Sequence, residues 1–352
     1  MYKANNRYAT PLSSDLLPPA LASADVPALV VDRLCKTFDG NSALNGLSFR
    51  VRQGAFVGLL GPHGSGKSTL ARILATVLRP DTGRAAILGH DVRADAHAVR
   101  RSIGYMAQGA GVDPQLTARE QLLLLARLYG LSSKEAEKRC HDALLQLGLT
   151  AISDRRAIRY PVEARRRLAL ARSLVHRPRV LLLDDPADGL SAHERMGMLQ
   201  CLEMINREDA ITILLAAPYL EEAEGLCSEV VIIDAGRLVA TGTPAELKAQ
   251  VTGSIVTIRL LETHRLGEVA ALLAHLPGVR GIRPQRDRLE LYVSSAGSMP
   301  ILLRLLEEHE IPLRDIVLSR SSLDEVFFRH TGRRMQDLGE KTSSGSEVPG
   351  HR

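Results

Sequence analysis

Nine consecutive residues, Gly61-Pro62-His63-Gly64-Ser65-Gly66-Lys67-Ser68-Thr69, have the types and spacing needed to hold a chain of phosphates. They satisfy G-x-x-x-x-G-K-[ST], and they lie between an apolar segment, AFVGLL, and an apolar-periodic one. That is the strand–loop–helix context in which the pattern works. Glycines let backbone N–H groups curl around a β-phosphate, Lys67 can reach the β- and γ-oxygens, and Ser68 can offer its hydroxyl to Mg2+. Far along the chain, VLLLDD ends a fully apolar run in Asp184 and Asp185. A carboxylate at the end of a buried strand is placed to hold the Mg2+ shell in phosphate-loop proteins, and Asp184 has that place. These residues predict a site for a nucleoside triphosphate with Mg2+.

The elements that must position them follow from hydrophobic pattern. Residues 1–26 are polar and rich in Pro, Ser and Ala without periodicity, which reads as a flexible arm. Over 27–250, strand-like and helical patterns alternate, and VLLLDD, ITILLAA and VVIID are short, wholly apolar strands. Such strands belong to a mostly parallel sheet covered on both faces, so the fold class is α/β. A second pattern fills 254–332: strand IVTIRLL, helix LGEVAALLAHL, strands VRGIRP and RLELYV, helix MPILLRLLEEH and strand LRDIVLS. That βαββαβ order predicts a small α+β, ferredoxin-like domain, closed by a short helix, SLDEVFFRH. Residues 333–352 read as a disordered tail.

Composition narrows the classes. The chain has 352 residues, enough for two domains, and 45% hydrophobic residues supply a real core. Aromatics are only 3% and Trp is absent, which argues against base-stacking platforms. The net charge of +5, from 45 Lys+Arg against 40 Asp+Glu, reads as a solvated surface, and no nucleic-acid partner is expected. Cys35, Cys140, Cys201 and Cys227 form no CxxC pair, in keeping with a reduced compartment. No segment approaches the run of about 20 apolar residues that spans a bilayer, so any membrane role is expected to come through another chain.

The order of segments is recognisable beyond the phosphate loop. LCKTFDGNSALNGLSFRVRQGAFVGLLGPHGSGKSTLARILATVLRPDTG, IGYMAQ, DPQLTARE with QLLLLARLYGL, and RRRLALARSLVHRPRVLLLDDP resemble the ATP-binding domains of ABC transporters. SLDEVFFRHTGR resembles the end of the C-terminal domain appended in the daunorubicin-resistance type of drug exporter. The resemblance spans about residues 28–332. It implies an ABC nucleotide-binding domain with a helical subdomain at about 108–176, binding ATP and Mg2+. It also implies a separate transmembrane permease subunit, dimerisation with a second ATP-binding subunit (a copy of itself or another chain), and a cytoplasmic place against the membrane. By position, Phe38 would stack on adenine, and Gln108 would sense Mg2+ and the γ-phosphate. Ser68, Gln108 and Asp184 would hold the metal, Asp184 through water.

Four departures fall on the chemistry that the resemblance implies. Where such domains read Ser-Gly-Gly to cap the ATP of the opposite subunit, Tyr160 is followed by Pro161-Val162-Glu163-Ala164. Pro161 has no N–H. Glu163 would set a carboxylate against the opposing γ-phosphate, a repulsion of about 4 kcal/mol at 4 Å and an effective dielectric of 20. Asp185 stands where a glutamate would polarise the attacking water, Pro218 where a histidine would contact the γ-phosphate, and Ser191 where a loop aspartate is usual. His193, His176, Glu221 and Glu222 are the side chains considered as substitutes. The expectation is a subunit that binds Mg-ATP and hydrolyses it poorly, or one whose role in a heteromeric complex is structural or regulatory.

Overall fold

The computed structural model describes residues 26–109, 111–216, 225–250, 254–285, 287–293, 296–320 and 322–333. The expected arm and tail lie outside these apart from Val26 and Arg333, as do Pro218, Glu221 and Glu222. Strands and helices are numbered in chain order.

The chain opens with a hairpin, β1 (Leu29–Phe38) and β2 (Asn41–Val51), in which Phe38 pairs with Asn41. Asp39 and Gly40 both have positive φ, 46° and 82°, the backbone that a two-residue Asp-Gly hairpin requires. With β4 (Thr82–Ile87) and β5 (His90–Asp91) the hairpin forms an antiparallel sheet of order β2-β1-β4-β5. The sequence pattern had pointed to one mostly parallel sheet and did not separate this layer.

The central sheet has the order β10-β9-β3-β8-β7-β6. Its strands are β3 (Phe56–Leu60), β6 (Ile103–Met106), β7 (Val180–Asp184), β8 (Thr212–Ala216), β9 (Glu229–Asp234) and β10 (Arg237–Gly242). All neighbours pair in parallel except β10, which runs antiparallel along the edge. Every residue of β3, β7 and β8 is buried, because successive side chains serve two different cores. Leu181, Leu183, Ile213 and Leu215 point to a helical layer of α3 (Ala118–Leu128), α4 (Ser133–Gln146), α5 (Val162–Leu174) and α6 (Ala192–Asp209). Val180, Leu182 and Leu214 point instead to the antiparallel sheet, α1 (Lys67–Leu74) and α2 (Ala96–Ser102). Both faces are therefore sealed, and the carboxyl ends of β3, β7 and β8 are left to carry the polar site.

After α7 (Pro244–Gln250) comes the expected βαββαβ unit: β11 (Ser254–Leu260), α8 (Leu266–Leu273), β12 (Val279–Pro284), β13 (Arg288–Val293), α9 (Met299–Glu308) and β14 (Leu313–Arg320). Its antiparallel order, β12-β13-β11-β14, is that of a ferredoxin-like sheet, and Val256, Ile258, Leu289 and Leu291 pack beneath its helices. The closing helix α10 (Leu323–Thr331) departs from the sequence reading. Leu323, Val326 and Phe327 are buried not in the ferredoxin-like core but in the helical-layer core of the first domain, beside Leu247 and Ile232. Arg333 then donates to Asp234 Oδ2 at the end of β9, at 2.7 Å. No helix among the described residues is long and apolar enough to cross a membrane.

Candidate functional site

The site is built where β3 turns into α1. Gly66 caps the helix with φ 105°, and a Cβ there would run into the carbonyl of Ala43 and, at 2.8 Å, into Leu44 Cδ2. Glycine is required by both counts. Gly61 lies against the Ile233 carbonyl with no room for a side chain. The loop thus rests on the first hairpin and on the β9–β10 turn, whose Gly236 N–H donates to Ser65 O at 3.0 Å.

Lys67 Nζ donates to Gly61 O at 2.6 Å and to Pro62 O at 2.8 Å. Burial lowers the lysine to about 8, while the nearby charges of Asp184 and Asp185 act in the opposite direction. Ser68 Oγ donates to Asp184 Oδ1 at 2.9 Å. The other oxygen of that carboxylate, Oδ2, is buried with no hydrogen-bond partner. Burial also holds both Asp184 and Asp185 above the usual carboxylate range. The Ser68 hydroxyl opposes this at Asp184, and the charges of Asp188 and Asp184 add to it at Asp185.

These groups share one cavity of about 300 Å3, walled by Ala43, His63, Gly64, Gly66, Lys67, Ser68, Thr69, Gln108, Asp184, Asp185 and Ala216. Lys67, Ser68, Gln108, Asp184 and Asp185, far apart in the sequence, therefore share one wall. Gly61, Pro62 and Ser65 form the base of the loop. Phe38 is not in the wall: it ends β1, 43% exposed, with the Lys36 ammonium 5.3 Å over its ring. A buried, partnerless carboxylate oxygen beside a serine hydroxyl is a hard-oxygen donor set, and it fits Mg2+.

The degenerate loop behaves differently from the sequence expectation. Helix α5 begins at Val162 with Pro161 as its N-cap and no side-chain cap bond. Glu163 does not project as a free carboxylate: its Oε1 accepts from Arg167 Nε at 2.9 Å, one helical turn on. Arg166 is tied to Asp188 at 3.2 Å. The basic triplet is thereby partly spent on ion pairs within the chain. The i, i+4 spacing of Glu163 and Arg167 was the signal that could have shown this. Ser191, read as a lost loop aspartate, N-caps α6 in a full capping box with Glu194. S-x-x-E was legible in the sequence. Of the proposed substitute histidines, His176 bonds the Ile103 carbonyl and stacks on Tyr129, and neither it nor His193 enters the cavity wall. His63 does.

A phosphate loop on a mostly parallel sheet, a buried carboxylate at a strand end and a flanking helical layer define an ATP-binding domain of the ABC type. Comparison with known proteins gives the branch. Residues 44–188 match the ABC transporter family model, and residues 242–331 match the ATP-binding protein DrrA1-3-like C-terminal domain. The daunorubicin resistance ATP-binding protein DrrA3 of Streptomyces coeruleorubidus is 39% identical over 308 residues, covering 87% of this chain and 96% of its own. A Nod factor export ATP-binding protein I of Ralstonia nicotianae is 33% identical, covering 91% and 98%. Among solved structures, cbiO1 from Clostridium perfringens, part of the ABC transporter complex cbiONQ, aligns with a TM-score of 0.59 at 27% identity. That alignment covers 64% of this chain and 92% of cbiO1. A dimeric ATP-binding cassette bound to ADP and Pi aligns with a TM-score of 0.56 at 25% identity, covering 61% and 98%. The chain belongs to the ABC transporter family of ATP-binding proteins, in the branch that carries the DrrA1-3-like C-terminal domain.

Proposed function

We propose that this chain is the ATP-binding subunit of an exporter, that it holds Mg-ATP in the phosphate loop, and that it hydrolyses the nucleotide slowly while a separate membrane subunit carries the substrate. The pairing of Ser68 with Asp184, whose second oxygen is buried and partnerless beside Lys67, is the observation that supports this most directly. Ser68, Asp184 and Gln108 would hold Mg2+, and the metal would supply charge neutralisation at the β- and γ-oxygens. Lys67 would bind the same oxygens, the loop N–H groups would orient the β-phosphate, and Phe38 would offer a ring face to adenine. Asp185 would hold the attacking water. Relatives named for drug resistance and for Nod factor export support export over import.

Slow turnover follows from the short Asp185 side chain and from a capping loop that lacks serine and glycine at Pro161-Val162-Glu163. Because that loop would act on the opposite subunit's ATP, a partner with an intact loop serves this chain's site better than a second copy does. Coupling to the membrane subunit is supported by position. Gln108 walls the nucleotide cavity, while the adjacent Ala107 walls a neighbouring one of about 300 Å3 with Tyr105, Leu125, Tyr129 and Arg172. Leu124 and Leu128 stand exposed on α3 nearby. Exposed apolar side chains beside such a cavity suit a docked segment of the membrane subunit.

The test pairs two measurements on one purified sample: Mg-ATP affinity and phosphate release, each against Lys67→Ala. The expected result is binding that Lys67→Ala abolishes, with release below roughly 1 s⁻¹, the low end of typical enzyme turnover. Binding unaffected by Lys67→Ala would refute the site itself.

A further inference from the structure

The phosphate loop is seated on the turn that joins β9 to β10. A Cβ on Gly61 would lie 2.2 Å from the Ile233 carbonyl oxygen, so the loop begins in contact with the end of β9. Further along it, Ser65 O accepts from the Gly236 amide at 3.0 Å, while Gly236 O accepts from the Asn45 amide at 2.9 Å. The turn itself is tight. Asp234 pairs with Arg237, and the two residues between them, Ala235 and Gly236, have φ 46° and 74°. Alanine disfavours that left-handed backbone, so the shape of the turn depends on what grips it.

The grip on its far side comes from the end of the second domain. Arg333 Nη2 donates to Asp234 Oδ2 at 2.7 Å. Arg333 is itself held in place. Gly332 ends α10 with φ 71°, and the Arg333 amide donates to Thr331 Oγ1, whose hydroxyl donates to Phe327 O at 2.8 Å. Phe327 lies in the core of the first domain. The next ring, Phe328, stacks on Tyr292 of β13 with 6.2 Å between centroids, and the Arg283 guanidinium lies over it. One short helix is thus clasped between the two domains, and its end reaches the base of the nucleotide site. The Arg333 side chain is 54% exposed, so its ion pair with Asp234 adds little to stability. What distinguishes the pair is where it pulls.

We infer that Arg333 is a positioning residue for nucleotide binding: by holding Asp234 it fixes the Ala235–Gly236 turn, and the turn fixes the Ser65 carbonyl and with it the curve of the phosphate loop. The C-terminal domain thereby sets how well the loop is formed before nucleotide arrives. Such a coupling is reciprocal, so bound nucleotide steadies α10 as α10 steadies the loop. This inference rests on ATP occupying the phosphate loop.

The test is isothermal titration of the full chain with Mg2+ and the β,γ-imido analogue of ATP. It compares wild type with Arg333→Ala, Arg333→Lys, Asp234→Asn, the double variant Arg333→Ala with Asp234→Asn, and Lys67→Ala. Arg333→Ala is expected to weaken the analogue about fivefold, the low end of coupling between sites, with the urea midpoint unchanged. Arg333→Lys, which keeps the charge, recovers part of the loss. The double variant binds no more weakly than Arg333→Ala, because both side chains act through one bond. Amide hydrogen exchange of nucleotide-free Arg333→Ala is expected to quicken over residues 61–69 and 234–237 and to keep the wild-type rate over β7. Unchanged affinity in a folded Arg333→Ala chain overturns the proposal. So does a loss of affinity that comes with a lowered urea midpoint and unchanged exchange in the loop, which would make the pair a plain structural tie. Lys67→Ala without effect on affinity overturns the reading of the site instead.

Discussion

Asp185 has φ 51°, in the left-handed region, with its amide bonded to the end of β8. Aspartate tolerates this backbone better than most residues, because a short polar side chain bonds locally. Glutamate lacks that ease but reaches one methylene further toward the phosphates. A displacement of about 1 Å at a reacting group costs roughly 10²-fold in rate. Asp185→Glu is therefore expected to raise phosphate release at least tenfold while lowering unfolding stability by about 1 kcal/mol, and Asp185→Asn to abolish release. A steady-state phosphate assay beside a urea melt reads both. An Asp185→Glu chain no faster than wild type would move the deficit away from this carboxylate.

Elements show where the sequence could be read and where it could not. The phosphate loop was legible because its pattern is local: the glycines, Lys67 and Ser68 act within nine residues. Asp184 was legible because its apolar strand comes downstream of a phosphate loop; alone, a strand that ends in aspartate is a weak signal. The βαββαβ order followed from alternating periods. The antiparallel layer was not legible, since β1 and β2 bury only alternate residues and look the same whichever sheet they join. The tie between Glu163 and Arg167 is carried in the sequence by their i, i+4 spacing. The allegiance of α10 is a matter of long-range packing, which no local pattern carries. Phe327 is fully buried in the core of the first domain, and removing such a ring costs about 3–5 kcal/mol. Phe327→Ala should lower the urea midpoint of the nucleotide-binding domain itself, read through loss of Mg-ATP binding in the same melt. A midpoint for ATP binding that stays at the wild-type value would mean that α10 adds nothing to that core.

At the scale of the molecule, the two surfaces that nucleotide would meet differ. The phosphate loop, Ser68, Asp184 and Gln108 converge on one cavity, whereas the start of α5 offers proline, valine and an ion-paired glutamate where another subunit's nucleotide would be capped. The ion pair with Arg167 removes much of the repulsion that a bare carboxylate would exert, so the loop is better described as inert than as repulsive. An inert cap adds no ATP-dependent attraction between two copies of this chain, and ligand binding shifts an association only by its differential affinity for the two states. Mg-ATP should accordingly bind without driving self-association. Sedimentation velocity of the Asp185→Asn chain, which holds ATP unhydrolysed, is expected to show the same distribution with and without saturating Mg-ATP. Replacing Pro161, Val162 and Glu163 together with Ser, Gly and Gly should make dimer formation depend on ATP, at the cost of some helix stability from two added glycines. ATP-driven dimers of the unaltered loop would show that the cap works without its usual residues, and that two copies of this chain suffice to close around nucleotide.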